Sequence, residues 1–346
     1  MDVAIRKMEP HEAAKTYRLA KRCFGLPESL FLPKPREGFV AVVGKEIIGG
    51  FAYNLEVCDS KKVAFVSLLF TDPRFTGQGI AKRLCTEGIS HLWEQEGCDA
   101  LVTYVRDDNV GSWSNFERNG FVKASLRKLA RYVGFAGMTK LYIKTFYGMS
   151  IGHDFYVSLR SEELTAPYKK EPGSALQIAA YVLVNLFMVA RVLMFADDAL
   201  PVIWGYVTVF LGCALAGYMG TLLTKRKWSF RLPTGGLLMV PVGLLVIARG
   251  VGFIPMIANW YPHQYENTPE FKRDMAISSI SVWAYLLALS AMNVAYTGFL
   301  VSFLLLLKCV FVPPFGSYGA ERVYKWNKGV YMLLAIASVF VTYTIL

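Results

Sequence analysis

Thr71-Asp72-Pro73-Arg74-Phe75-Thr76-Gly77-Gln78-Gly79-Ile80-Ala81-Lys82-Arg83-Leu84 is the stretch whose reading decides the fold. It follows an apolar run, residues 63–70, with the length and composition of a buried strand. It leads into residues 80–93, where apolar side chains recur at helical spacing. A strand that turns through two glycines into a helix N-terminus leaves backbone N–H groups without helical partners. Such a pocket suits a pyrophosphate.

Working outward, residues 3–7 read as a first strand and 9–24 as a helix with His11, Glu12, Lys15 and Arg18 on its polar side. Residues 38–43 and 47–57 read as two strands joined by the Gly44-Lys45-Glu46 turn. Residues 100–105 form a further strand, 111–118 a short helix before Asn119-Gly120-Phe121, and 154–159 a last strand. The expected fold is mixed α/β, with helices flanking the sheet.

Two motifs in this order resemble the GCN5-related N-acetyltransferases. The first is Thr71-x-Pro73-x-x-Thr76-Gly77-Gln78-Gly79-Ile80-Ala81, similar to the family's acyl-CoA pyrophosphate loop. The second is Asn109-x-x-Ser112-x-x-Asn115-Phe116-Glu117-Arg118-Asn119-Gly120-Phe121, similar to its second CoA-binding segment. The likeness covers residues 1–122 and, more loosely, 123–160. It implies a largely antiparallel sheet, acetyl-CoA as cosubstrate without a metal, and an amine acceptor. Backbone groups of Leu69, Phe70 and Thr71 would pair with the pantetheine arm, and the N–H groups of Thr76, Gly77, Gln78, Gly79, Ile80 and Ala81 would hold the pyrophosphate. Gly77, Gly79 and Ala81 are small enough for phosphates to approach. Lys82 and Arg83 would add charge near the ribose phosphate or stand as solvated helix charges. Asn109, Ser112 and Phe116 would line the second segment.

Two positions depart from the family pattern. Thr76 stands where Arg or Gln is usual, a change that main-chain contacts tolerate. Phe116 stands where a tyrosine often protonates the departing CoA thiolate, which phenylalanine cannot do. Another hydroxyl (Tyr104 and Tyr53 are the tyrosines nearest in the pattern) or solvent must then substitute, or the domain is slow or inactive. Acyl transfer also needs a neutral amine, and a carboxylate or water chain takes its proton. Residues 63–71 contain no carboxylate, so Glu56 at the end of the preceding strand is the candidate base; an exposed strand-end charge is the alternative. Asp107 and Asp108 read as loop or cap residues.

Residues 118–153 carry seven Lys/Arg and no Asp or Glu, interleaved with aromatic and aliphatic side chains. That pattern suits an anionic membrane surface. Nucleic acid attracts the same charges, but an adjacent membrane domain favours lipid and no nucleic-acid partner is expected. A charged face packed on the enzyme core is the bland alternative.

The second half has a different composition. Residues 1–172 hold 25 Lys+Arg and 20 Asp+Glu, whereas 173–346 hold 12 and 6, so the second half carries most of the apolar excess behind a mean hydropathy of +0.36. Apolar runs at 175–196, 200–224, 233–258, 275–292, 295–312 and 329–346 predict an all-α bundle of about six transmembrane helices. The expected domains are 1–160, a linker at 161–174, and 175–346. With the first half cytosolic, Lys225-Arg226-Lys227 and Arg231 fall inside, in line with the positive-inside rule. Residues 259–274 then fall outside, and so does 313–328, whose Arg322, Lys325 and Lys328 conflict with the rule. Arg191 near a span's end reads as a snorkelling cation; Arg249, deeper, reads as a packed partner or an anion contact. Residues 312–326 are faintly similar to the core of site-2 proteases, with Tyr318 in place of a zinc-ligating Asp. No HExxH exists and the four histidines are isolated, so proteolysis is not supported.

The six cysteines show no CxxC and read as reduced thiols, and the charged start reads as no cleaved signal peptide. The sequence thus predicts a membrane-anchored N-acetyltransferase at the cytosolic face. Its acceptor would be an amine on a lipid, a membrane protein or a membrane-partitioning small molecule. The rival is a non-catalytic CoA-sensing module regulating a membrane protein or transporter.

Overall fold

A computed structural model describes residues 2–25, 29, 32–106, 109–145, 153–160, 173–232, 245, 255–256, 258–264, 266, 268–292, 296–310 and 319–345. The chain divides into two compact units, residues 1–148 with 153–170, and 149–152 with 171–346.

In the first unit the strands are β1 (Ala4–Lys7), β2 (Glu37–Val43), β3 (Glu46–Cys58), β4 (Lys61–Thr71), β5 (Ala100–Arg106), β6 (Val122–Ala124) and β7 (His153–Leu159). The helices are α1 (Ala13–Phe24), α2 (Ile80–Glu94), α3 (Val110–Arg118) and α4 (Leu126–Lys144). The sheet order is β1-β2-β3-β4-β5-β7-β6. Every pair is antiparallel except β4 with β5, so the expected mixed, largely antiparallel α/β fold is what forms.

One face of the sheet carries α2 and α3. Ile80, Leu84, Cys85, Gly88, Ile89 and Leu92 form the buried stripe of α2, against Phe51 and Tyr53 of β3 and Val66 of β4. The other face carries α1, over Val40, Ala52 and Phe70, and α4, over Val63, Val102 and Phe155. Helix α4 is a finding the basic residues concealed. Its buried positions Leu129, Val133, Gly137 and Leu141 recur every four residues. Ser125 caps it by accepting the Lys128 N–H at 3.3 Å, and Gly134, at φ 73°, kinks it where it crosses Asp59. Glycine is required there because a left-handed residue with a side chain is strained.

The second unit holds α5 (Ser174–Met188), α6 (Ala190–Met194), α7 (Ala199–Leu222), β8 (Trp228–Arg231), β9 (Asn259–Pro262), α8 (Pro269–Ala291), α9 (Gly298–Lys308), α10 (Ala320–Trp326) and α11 (Lys328–Ile345). Three helices, α7, α8 and α11, are long and apolar enough to cross a membrane by length and composition. Among the described residues the six-span expectation is therefore matched by three such helices. The first predicted span breaks at Val189 into α5 and α6, and the fifth, α9, has 11 residues. The third lies almost wholly outside the described residues, as do Arg249 and Tyr318. Arg191 lies over the Phe195 ring at 6.0 Å in α6.

The loop assignment also changes. The sequence put residues 225–231 and 259–274 on opposite sides of a bilayer. In the structure β8 and β9 pair, Trp228 opposite Pro262 and Arg231 opposite Asn259. Arg226 bonds Glu266 at 2.8 Å and Asp274 at 2.9 Å. Arg322 donates to the Trp260 carbonyl at 2.9 Å and covers the Tyr261 ring. The segments at 225–231, 259–274 and around Arg322 therefore gather at one end of the unit.

Candidate active site: a forked sheet above a glycine turn

The site begins with a break in strand pairing. Strand β4 pairs with β5 from Val63 opposite Ala100 to Val66 opposite Thr103. On its other side it stays paired with β3 as far as Thr71. From residue 67 onward the β5-facing edge of β4 has no ladder partner among the described residues, and the two strands diverge as a fork. A bulge marks the branch point. Ala52 faces Leu68 and Tyr53 faces Val66, which leaves Ser67 as the extra residue. The Ser67 hydroxyl donates to the Ala52 carbonyl at 3.3 Å, and the Thr103 hydroxyl to the Val66 carbonyl at 3.0 Å, so both side chains fasten the branch. Leu69, Phe70 and Thr71 lie on the opened edge. Phe70 is buried, and the buried Thr71 Oγ1 has no partner among the described residues.

The opened edge runs into the glycine turn. Asp72, 2% exposed, holds the turn in place. Its carboxylate accepts the Arg74 backbone N–H at 3.0 Å, the Arg74 guanidinium at 2.8 Å and the Arg22 guanidinium at 2.7 Å. The Arg74 side chain first, then its backbone N–H and Arg22, outweigh burial and hold this carboxyl far below the ordinary Asp range. Because the folded state binds the proton less readily, the stabilisation is present above the unfolded Asp value of about 3.9 and is lost as pH falls through the folded value. Asp72→Asn is expected to cost about 1–3 kcal/mol at neutral pH and to flatten the acid limb of stability below about pH 4, as measured by urea unfolding across pH.

Thr76, Gly77, Gln78 and Gly79 are exposed, and Gly77 and Gly79 have φ of 80° and 73°. A Cβ added at either glycine would meet nothing within 4 Å, so the space above the turn is open. Gly79 caps α2 without a side-chain hydrogen bond. The first intrahelical bond there is donated by the Arg83 N–H to the Gly79 carbonyl at 3.0 Å, so the N–H groups of Ile80, Ala81 and Lys82 precede it. The Ile80 side chain is buried, which fixes the base of this turn, while Lys82 and Arg83 are exposed on it. An orphaned hydroxyl beside an unpaired strand edge, followed by an empty N–H cradle, fits a long ligand that carries amides at one end and phosphates at the other.

Residues 6–121 match the model of the acetyltransferase (GNAT) family. This stretch is a GNAT domain. Over 66 residues the chain is 33% identical to the mycothiol acetyltransferase of Salinispora tropica, a stretch that is 19% of this chain and 22% of that protein. The mycothiol acetyltransferase of Salinispora arenicola is 32% identical over the same length. The chain thus spans about a fifth of the length of these curated relatives. Among solved structures, a NatC complex bound to Gag peptide and CoA has 16% identity and a TM-score of 0.35, covering 46% of this chain and 100% of that one.

The remaining expected site residues of the GNAT domain sit as follows. Asn109 is the N-cap of α3, its Oδ1 accepting the Ser112 N–H at 3.2 Å, so these two residues shape the start of that helix. Phe116 is 1% exposed, edge-on to Phe121 at 5.2 Å in the cluster with Ile80 and Leu84. Its ring is a core element, and its aromatic character is explained by packing. Asp107 and Asp108 lie outside the described residues.

Glu56 is not brought to the fork. It faces Val63, at the opposite end of the β4–β5 pairing. It is 8% exposed rather than an open strand-end charge, and it pairs with Lys140 at 2.9 Å and with Lys144, both on α4. A carboxylate holding two ammonium groups is an anchor for α4. Tyr53 points into the α2 face, 1% exposed and 6.5 Å from His91; burial pushes its phenol well above the usual range. Tyr104 is half-buried and is the first residue of β5 beyond the last β4 partner. Among the described residues no cluster of three or more His, Cys, Asp or Glu is placed to hold a metal.

Proposed function

We propose that this chain is an N-acetyltransferase that moves an acetyl group from acetyl-CoA to an amine, tethered to a bilayer by its second unit with the GNAT domain on the cytosolic side. The observation that carries this reading is the opened β4 edge running directly into the Gly77–Gly79 turn. The backbone of Leu69, Phe70 and Thr71 offers strand-like hydrogen bonds to the amides of a pantetheine arm. The N–H groups from Thr76 to Ala81, with Lys82, offer a diphosphate site. Asn109 and Ser112 flank the arm from α3. The fork then holds the thioester where an entering amine meets its carbonyl, which replaces a bimolecular encounter by a positioned one.

The test uses the full chain in detergent, acetyl-CoA and a membrane extract, with release of free thiol followed over time. Amine-dependent release supports transfer. Tight CoA binding without amine-dependent release favours the second reading, a CoA-sensing module, whose specific support is Phe116 in the core and Glu56 engaged by two lysines.

The membrane partner has its own support. Phe135, Ile143 and Val57 are 76%, 71% and 69% exposed, Phe135 and Ile143 on α4 and Val57 on β3 beneath it, where Lys140 reaches its carbonyl. Arg127 and Arg131 are exposed on the same helix. Apolar side chains amid cations match an anionic lipid surface. With the chain in nanodiscs, hydrogen exchange over residues 126–145 is expected to be slower in anionic than in neutral lipid. Arg127→Glu with Arg131→Glu is expected to remove that difference, each cation contributing about 1 kcal/mol. Equal exchange in both lipids overturns this partner.

A further inference from the structure

The helices of the first unit divide by charge as well as by face. On the face that carries the glycine turn, α2 and α3 together have three Lys/Arg and three Glu. On the other face α1 has four Lys/Arg and α4 has five, and neither helix has an Asp or Glu. Two buried carboxylates meet this second face. Glu56 engages Lys140 and Lys144 of α4, and Asp72 engages Arg22 of α1. Lys15, Arg18 and Lys21 of α1, and Arg127, Lys128 and Arg131 of α4, have no carboxylate at ion-pair distance among the described residues. All of these but the half-buried Lys128 are exposed. A surface of one sign repels itself and draws anions.

The fork lies between the two cationic helices on this face. Helix α4 packs over Val63 and Phe65, just before the branch in β4, and α1 packs over Leu68 and Phe70, just beyond it. The glycine turn leads into α2, so a diphosphate held there sits on the α2 face. A second reactant then has the α1–α4 face from which to approach the fork. The character of that face narrows what the reactant is. Phe135 and Ile143 stand 76% and 71% exposed among the cations of α4. Apolar side chains set among cations suit the headgroup layer of a bilayer, where charge meets hydrocarbon, better than they suit a soluble polyanion.

Resting on the acetyl-transfer reading above, we propose that the α1–α4 face docks on phospholipid headgroups and that the acceptor is the primary amine of an aminophospholipid, held by its phosphate. The cations act on the two ends of such a headgroup in opposite ways. They attract the phosphate. They also disfavour the ammonium form of the amine, because like charges nearby make protonation costly. More of the amine is then the neutral nucleophile that the reaction needs, at a fork where Glu56 is already engaged by two lysines. The ammonium first gives one proton to water. The neutral nitrogen forms the N–C bond, and the C–S bond breaks with its electron pair on sulfur. A second nitrogen proton passes by way of water to that sulfur. The products are an N-acetylated headgroup and the free thiol of CoA.

The test places the full chain in phosphatidylcholine nanodiscs doped with phosphatidylserine, with phosphatidylethanolamine, or with phosphatidylglycerol as an anion that lacks an amine. Acetyl-CoA is added, thiol release is followed, and the lipids are then weighed by mass spectrometry. Release and an N-acetylated headgroup are expected with the first two lipids and not with the third. Arg18→Glu combined with Arg131→Glu, one change on each helix, is expected to slow the initial rate by roughly tenfold or more, with the affinity for CoA unchanged. Added salt is expected to slow the wild type as well, which serves as a second measurement should the variant not fold. Release from a membrane extract, but from neither aminophospholipid, overturns the lipid acceptor and leaves acetyl transfer standing. Equal release in all three kinds of nanodisc does the same. A rate indifferent to both salt and the two substitutions overturns the role of the α1–α4 face. A chain that binds CoA and releases thiol with neither extract nor aminophospholipid removes both readings.

Discussion

Gly79→Val is expected to weaken CoA binding about a hundredfold while the GNAT domain stays folded. The residue has φ 73° and caps α2 with no side-chain bond of its own. A Cβ built there meets nothing within 4 Å beyond its chain neighbours, so a side chain grows into the open space in front of the helix N-terminus. Two costs separate cleanly. Forcing a residue with a side chain into a left-handed conformation costs about 1–2 kcal/mol of stability. Blocking the approach of a diphosphate removes one or two charge-assisted hydrogen bonds of about 1.5–3 kcal/mol each, and a hundredfold corresponds to about 2.7 kcal/mol. Titration calorimetry with CoA checks the second cost and thermal unfolding the first. A variant that binds CoA as tightly as the wild type would place the cosubstrate elsewhere.

Gly88→Val is expected to be the most damaging single change for the fold of the first unit. Gly88 sits in the buried stripe of α2, and a Cβ there would lie 2.5 Å from the ring of Phe51. Phe51 is itself 1% exposed in the centre of β3, so the ring has no free space to move into. A helix gains about 1 kcal/mol when Gly becomes Ala, but overpacking a closed core costs about 1–3 kcal/mol, sometimes more, and the extra methyls of Val worsen it. A loss of about 3 kcal/mol is expected, on the order of 10 °C in Tm. Phe51→Ala alone is expected to cost about 3–5 kcal/mol. Combined, the two changes should cost at least about 1 kcal/mol less than their sum, because each relieves the other. Strict additivity in thermal unfolding would show that helix and strand do not press on each other there.

These two glycines show how differently the sequence speaks. Gly79 lies in a motif that is local, with strand, turn and helix all within 25 residues. Hydrophobic periodicity and glycine spacing are enough to read it, and the strands around it fall within a residue or two of their observed ends. Gly88 carries no such signal. Its importance comes from a strand more than 30 residues away in the chain. Glu56 belongs to the same class. As a strand-end carboxylate it looks available for proton transfer, and only the packing of α4 over β3 reveals the two lysines that occupy it. Helix α4 itself was legible in principle through Leu129, Val133, Gly137 and Leu141. The density of cations over the same residues drew attention to charge instead of spacing.

In the second unit, composition determined that helices would form and roughly where they start, because apolar runs and their polar breaks are local properties. It did not determine sidedness. The β8–β9 ribbon and the Arg226 pairs with Glu266 and Asp274 join segments about 30 to 50 residues apart. Only those contacts, with Arg322 on the Trp260 carbonyl, gather the basic segments at one end.

By itself, then, the sequence determined where most strands of the first unit lie along the chain, the glycine turn and the kind of ligand that a row of free N–H groups attracts, since each depends on neighbours a few bonds away. The tertiary structure alone decided that β4 and β5 part after Val66 and Thr103, that Phe116 is core, and that Tyr104 stands at the opening. Those facts rest on which distant strands pair and where the pairing stops. Side-chain packing across the whole sheet sets that balance, and no single segment of the chain contains it.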